Sequence, residues 1–152
     1  MRVLVLLPAA VAAMLWFSIP ARAASLGEAV NTDYPYLQAL FEHLHANPEL
    51  SMQETQTSDR LAKELQQLGF SVTRNIGKTG LVGVLRNGEG PVLMIRADMD
   101  ALPVQEKTGL GYASSKRQVN LEGVDMPVMH ACGHDMHVTK LVGVARRMVE
   151  LK

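Results

Sequence analysis

Apolar residues recur at helical spacing three times along this chain, and the stretches between them read as strand or loop. From about Asp33 to Ala46, Leu37, Leu40, Phe41 and Leu44 form one stripe; Pro35 suits the first turn and Asn47-Pro48 closes the helix. The small, polar residues 24–32 read as a loose linker ahead of it. Ser51-x-x-Glu54 has the form of a capping box, which predicts a second helix from about Met52 to Leu68. Leu61, Leu65 and Leu68 give that helix an inner face, and Gly69 is placed to end it. Three strands are predicted next, at Phe70–Arg74, Leu81–Arg86 and Pro91–Ala97. The third contains Val92-Leu93-Met94-Ile95, apolar without alternation, as in a central strand covered on both faces. Residues 106–129 are polar and aperiodic and read as a long loop, a length that usually carries function. A last helix begins near Asp135, with Val138, Leu141, Val142, Ala145 and Val149 inward and Lys140, Arg146 and Arg147 towards water. Helices packed on a sheet give an α/β fold, a mixed sheet flanked by helices.

The first 23 residues do not fit this pattern. Arg2 supplies a positive charge, Val3–Ile19 is uncharged and mostly apolar, and Ala21-Arg22-Ala23 has the small-x-small form of a cleavage site. Residues 1–23 are therefore expected to be a removable secretory signal, with the mature chain secreted or periplasmic. Pro8, Pro20 and the shortness of the run argue against a membrane anchor, because a span needs about 20 apolar residues. The full chain has 15 basic and 15 acidic residues; without Arg2 and Arg22 the balance is 13 to 15. No basic run points to nucleic acid, and no later segment reads as membrane-spanning. The single cysteine excludes an internal disulfide. A lone thiol in an oxidising compartment calls for a reason, and metal ligation supplies one; a buried core cysteine is the alternative.

That cysteine stands in Met129-His130-Ala131-Cys132-Gly133-His134-Asp135-Met136-His137. Thiolate and neutral imidazole are the side chains that hold zinc-like ions best, and residues i and i+2 of an extended segment face one side. Cys132 and His134 are accordingly the candidate ligand pair, although two ligands do not complete a site. Asp135 suits the start of the last helix and also a hydrogen bond to a ligand imidazole. His137 either lines the site or packs on the sheet, and His130 is open between the two. Asp98 and Asp100 follow the apolar third strand, at the strand end where open α/β sheets place their sites; either could bind a metal or orient a ligand histidine. His43 and His45 do not share a helical face and read as surface or packing residues.

Three segments together resemble a known family. Leu44-His45-Ala46-Asn47-Pro48-Glu49-Leu50-Ser51, Arg96-Ala97-Asp98-Met99-Asp100-Ala101-Leu102-Pro103 and Met129-His130-Ala131-Cys132-Gly133-His134-Asp135 occur in order, as in the amino-terminal part of M20-family metallopeptidases. The likeness is to the amidohydrolase branch, with hippurate hydrolases, N-acyl-amino-acid deacylases and auxin-conjugate hydrolases, and it spans residues 33–152. It implies a partial metallo-hydrolase catalytic domain that cleaves the amide bond of a small N-acyl amino acid or similar conjugate. It also implies two divalent metal ions, with Cys132 and His134 among the ligands and Asp100 as the aspartate that supports the metal site. Asp98 falls where other branches carry a metal-binding histidine. The thiolate favours zinc, with manganese or cobalt as alternatives.

Family chains run to about 400 residues in two domains. The resemblance thus implies that a Glu-Glu pair, two further metal-binding histidines and a smaller dimerising or lid domain are not among these 152 residues. A truncated chain with little activity of its own is the expectation. Three rival readings remain at this point. Asp-x-Asp after a buried strand suits an Asp-nucleophile phosphatase, except that Ala101-Leu102-Pro103 follows it; Cys132 suits a cysteine hydrolase. The third is a non-catalytic metal-binding fragment with unpaired strand edges, prone to aggregate.

Overall fold

The computed structural model describes residues 25–152, so the signal read over residues 1–23 lies outside the described residues. The elements are α1 (Leu26–Ala46), α2 (Thr55–Gln67), β1 (Ser71–Ile76), β2 (Gly80–Val84), β3 (Arg117–Val119), β4 (Asp125–Pro127) and α3 (His134–Glu150). Helices and small antiparallel sheets together bear out the α/β reading. The sheet, however, is in pieces: two antiparallel hairpins, β1–β2 and β3–β4, and two isolated bridges.

α1 starts well before Asp33, and the loose linker expected over 24–32 is helical from Leu26 onward. Ser25 Oγ accepts the Glu28 backbone N–H at 3.2 Å while the Glu28 carboxylate accepts the Ser25 N–H at 2.7 Å. This capping box satisfies two donors that a helix start otherwise leaves bare. Pro35 consequently sits inside the helix rather than in its first turn. An interior proline costs about 3 kcal/mol in an isolated helix, and here the packing of Leu40 and Leu44, both buried, offsets it.

α2 begins at Thr55, not Met52, because Met52 takes a left-handed φ of 66°. The residue that caps it is Glu49, whose carboxylate accepts the N–H groups of Gln56 at 3.1 Å and Thr57 at 2.7 Å. Glu54, expected to complete a box with Ser51, instead accepts from the Thr79 hydroxyl and ties the start of α2 to the β1–β2 turn. Gly69, at φ 85°, closes α2 as expected.

Leu40, Leu44, Leu61, Val138 and Val142 form the main core, with Leu37, Leu81, Ala97 and Met99 packed against it. α1 and α3 meet closely at Gly143, where an added Cβ would stand 3.1 Å from Leu37 Cδ1. Arg146 and Arg147 do not point to water. Both pair with buried Asp33 of α1, Arg146 at 2.9 Å, and the Arg146 guanidinium lies 4.9 Å from the centre of the Tyr36 ring.

The predicted third strand is not formed. Among the described residues nothing pairs with residues 91–97, and Val92, Leu93 and Met94 are 97, 72 and 85 % exposed. A strand needs a neighbour's ladder to satisfy its backbone, so hydrophobicity alone does not make one. Such a run is a template for edge pairing. The chain is expected to self-associate in sedimentation at rising concentration, and the pair Val92→Lys and Met94→Lys is expected to suppress this.

The loop expected over residues 106–129 carries the β3–β4 hairpin, whose turn is held by the Asn120 carboxamide oxygen accepting the N–H groups of Glu122 and Val124. Three-residue strands are too short to show alternation in sequence. The two isolated bridges do more to position the candidate site. Leu50 pairs parallel with Ala101, and Leu102 pairs antiparallel with Met129, through reciprocal 3.0 Å bonds in the second case. Leu50, Ala101 and Val128 are buried together beneath them. The three sequence motifs, distant along the chain, are thereby stitched side by side.

Candidate metal centre

Cys132 and His134 lie at the entrance to α3. Ala131 and Cys132 form a turn, Gly133 stands at the N-cap with φ 77°, and His134 is the first helical residue. The extended geometry expected from their spacing is therefore replaced by a tight turn that glycine's left-handed backbone permits. Cys132 is exposed, which removes the buried-core reading of the thiol. The first N–H groups of α3 lack a capping side chain from Gly133. Asp135 is the second helical residue rather than the cap, but its Oδ1 accepts the Met136 N–H at 2.8 Å and so serves the same first turn.

His134 is held by Asp100. Its Nδ1 lies 2.9 Å from both the backbone oxygen and Oδ1 of Asp100, two acceptors that require Nδ1 to carry the proton. Nε2 is then the lone-pair nitrogen, in the arrangement by which carboxylates and carbonyls orient metal-binding imidazoles. The Leu102–Met129 bridge is what brings Asp100 to His134, so the second and third motifs meet through backbone pairing. Asp98 does not join them; its carboxylate pairs with Arg96 at the surface. His137 lies on the exposed side of α3 with its ring 5.6 Å from that of His134, so it does not pack on a sheet.

The donor chemistry fits a divalent ion in part. A thiol and an imidazole of fixed tautomer suit zinc, yet among the described residues no group of three or more His, Cys, Asp or Glu side chains is placed to hold one. Asp100→Asn is expected to weaken Zn2+ binding by about 10-fold, the lower end of the usual range for a residue that orients a ligand, because the Asp100 carbonyl still accepts from Nδ1. Competition with a chromophoric chelator measures this.

His45 reads from sequence as a surface or packing residue, and it is neither. It is buried between two carboxylates, with Nδ1 2.6 Å from Asp135 Oδ2 and Nε2 3.0 Å from Glu106 Oε1. Burial works against its charge, but the hydrogen bonds and fields of Glu106 and Asp135 hold its pKa above the ordinary histidine value. For Glu106 burial raises the pKa, and the hydrogen bonds from Thr108, His45 and Ser114 outweigh it, leaving the carboxylate below its ordinary value. His130 is also buried, neither ring nitrogen has a partner among the described residues, and burial lowers its pKa against the pull of Asp135. The His45 contribution to stability is complete below about pH 6.5 and disappears as pH climbs through its raised value. The Glu106 contribution is complete above about pH 4.3 and disappears as pH falls through its lowered value. Thermal melts across pH should show a plateau between these limits, and His45→Gln should remove the decline on the alkaline side.

The profile of peptidase family M20/M25/M40 matches residues 94–152, which contain Asp100, Cys132 and His134. It is 45% identity over 115 residues that ties the chain to the hippurate hydrolase of Campylobacter jejuni, an overlap of 72% of this chain and 28% of that enzyme. Against the N-acetyl-L-cysteine deacetylase of Bacillus subtilis the identity is 42% over 104 residues, covering 68% of this chain and 23% of that one. The crystal structure of the YxeP protein of Bacillus subtilis, described as a dinuclear metal-binding peptidase of the M20 family, superposes with a TM-score of 0.68. That match is at 34% identity and covers 79% of this chain and 32% of that one. The chain belongs to the M20 family. It spans about a quarter to a third of the length of these M20 relatives. Among the described residues no helix is long and apolar enough to cross a membrane.

Proposed function

We propose that this chain carries the Cys-His portion of the metal centre of an amidohydrolase that cleaves the amide bond of N-acyl amino acids or similar conjugates. The observation behind the proposal is the pairing of an exposed thiol at Cys132 with a His134 imidazole whose Nδ1 is committed to Asp100. Relatives named for hippurate hydrolysis and N-acetylcysteine deacetylation support the substrate class. Cys132 and His134 would hold one ion of a divalent pair, zinc by the softness of the thiolate, with manganese or cobalt as alternatives. Such ions, when bound, polarise a carbonyl and activate water. The chain's own residues fix the donors: Asp100 sets the His134 tautomer, Gly133 turns the backbone, and the Leu102–Met129 bridge keeps the two motifs in register.

The same geometry disfavours phosphoryl transfer, since Asp98 is paired with Arg96 and Asp100 with His134, and neither is free as a nucleophile. A metal-binding but weakly active chain is the second reading, favoured by the absence of a third donor among the described residues. We further propose export to the periplasm or medium, from the leader pattern of residues 1–23.

Assay of hippurate and N-acetyl amino acids with added Zn2+ or Mn2+ tests the reading. Slow hydrolysis that chelator abolishes and Cys132→Ser removes is the expected result. Hydrolysis that persists in chelator and is lost on thiol alkylation would replace the metal reading with a cysteine hydrolase.

A further inference from the structure

His45, Glu106 and Asp135 form a buried cluster that the proposed chemistry does not use. They are 8, 8 and 1 % exposed and come from three separate segments: the end of α1, the loop after Pro103 and the first turn of α3. Both ring nitrogens of His45 face a carboxylate oxygen. Carboxylate oxygens are acceptors, so both ring nitrogens are placed to donate, and the two carboxylates favour the charged form of the ring. Every surrounding group fixes it further. From the loop, the Ser114 backbone N–H and the Thr108 hydroxyl donate to Glu106, and the Tyr112 ring stands edge-on to His45 at 5.4 Å. From α1, Phe41 packs on it at 5.6 Å. From α3, Asp135 divides its oxygens between His45 and the Met136 N–H. The positive field of His45 also reaches buried His130 and disfavours a charge there.

We propose that His45 is a positioning residue for the Cys132–His134 centre, locking the turn that bears both donors before any metal arrives. The inference rests on the reading of Cys132 and His134 as donors. Its physical basis is the place of Asp135, directly after His134. Asp135 is anchored by a 2.6 Å hydrogen bond from His45 of α1, and a buried carboxylate oxygen that loses its donor must move to find another. That movement shifts the first turn of α3, which follows Gly133 in a left-handed conformation. Donors that are held in place before binding lose less ordering entropy when the ion binds.

Co2+ titration of the chain, followed by the near-ultraviolet thiolate-to-cobalt band, provides the test. The unmodified chain should show the band and Cys132→Ser should not. His45→Gln should lower Co2+ affinity by at least about 10-fold, the scale of losses when a ligand's supporting partner is removed. Glu106→Gln, a milder change that loosens His45 without deleting it, should lower affinity by about 3-fold. Phe41→Leu thins the packing on the same ring but spares its hydrogen bonds; it should lower Tm yet leave the affinity within about 2-fold. Should Phe41→Leu lose affinity in proportion to its lost stability, or His45→Gln and Glu106→Gln retain it, His45 is structural only and the proposal fails. If His45→Gln does not fold, Glu106→Gln decides alone. No band in the unmodified chain would remove the donor reading itself, whereas a band that survives His45→Gln at full affinity removes only the positioning role.

Discussion

Cys132→Ser is expected to lower the affinity of this chain for Zn2+ by more than about 100-fold while leaving its thermal stability almost unchanged. The two halves of that expectation have separate causes. Removing a group that merely orients a ligand costs about 10- to 100-fold in metal affinity, so deleting a ligand must cost more. The replacement hydroxyl is also a harder and far weaker acid than a thiol, and it does not present an anionic donor at neutral pH. Stability is a different matter, because Cys132 is exposed on a turn and contributes to neither core cluster. Surface changes of this kind stay within about 0.5 kcal/mol. Isothermal titration with Zn2+ alongside a thermal melt measures both halves on one sample. A variant that loses both affinity and stability would show that Cys132 acts through the fold.

Leu40→Ala is expected to do the reverse, destabilising the chain by about 2–5 kcal/mol. Leu40 is fully buried at the centre of the cluster that joins α1, α2 and α3. Its removal leaves a cavity among Leu44, Leu61, Val138 and Val142, side chains held by three helices that cannot all close on the gap. Against a total of about 5–15 kcal/mol for a folded domain, such a loss is large. Urea unfolding followed by circular dichroism should show a lower midpoint with an unchanged slope. A loss below about 1 kcal/mol would mean that the helices repack freely and that the cluster is not a fixed core.

The helices are legible in the sequence because their stripes are long. Leu40, Leu44, Leu61, Leu65, Val138 and Val142 fall where a 3.6-residue period puts them, and all are buried. Their starts are less legible, since a capping residue need not adjoin the helix it caps. Glu49 reaches forward to Gln56 and Thr57, while Ser51 and Glu54, which match the capping pattern by spacing, are broken apart by the left-handed Met52. The apolar run Val92–Ile95 shows the converse. Its composition suits a central strand, but a ladder is a property of two segments, and among the described residues the second is absent.

The candidate site divides in the same way. Cys132 and His134 stand out because their types and spacing are local, and Asp100 stands out because it falls in the family motif that follows the apolar run, although that run forms no strand. His45 gives no such signal. A histidine next to the end of an amphipathic helix is ordinary, and the Glu106 and Asp135 that bury it lie 61 and 90 residues further along the chain. Its only trace in the sequence is membership of the Leu44–Ser51 motif, whose Glu49 proves to be a helix cap. Contacts of long sequence separation carry no periodicity, so only the folded arrangement displays them.

The central claim is that Cys132 and His134 grip the same divalent ion. X-ray absorption at the zinc edge of the chain loaded with one equivalent of Zn2+ addresses it most directly. One sulfur scatterer at about 2.3 Å together with nitrogen at about 2.0–2.1 Å is the predicted shell, with the sulfur lost in Cys132→Ser and the nitrogen shell depleted in His134→Ala. A shell of oxygen alone, identical in the chain and both variants, would contradict the account.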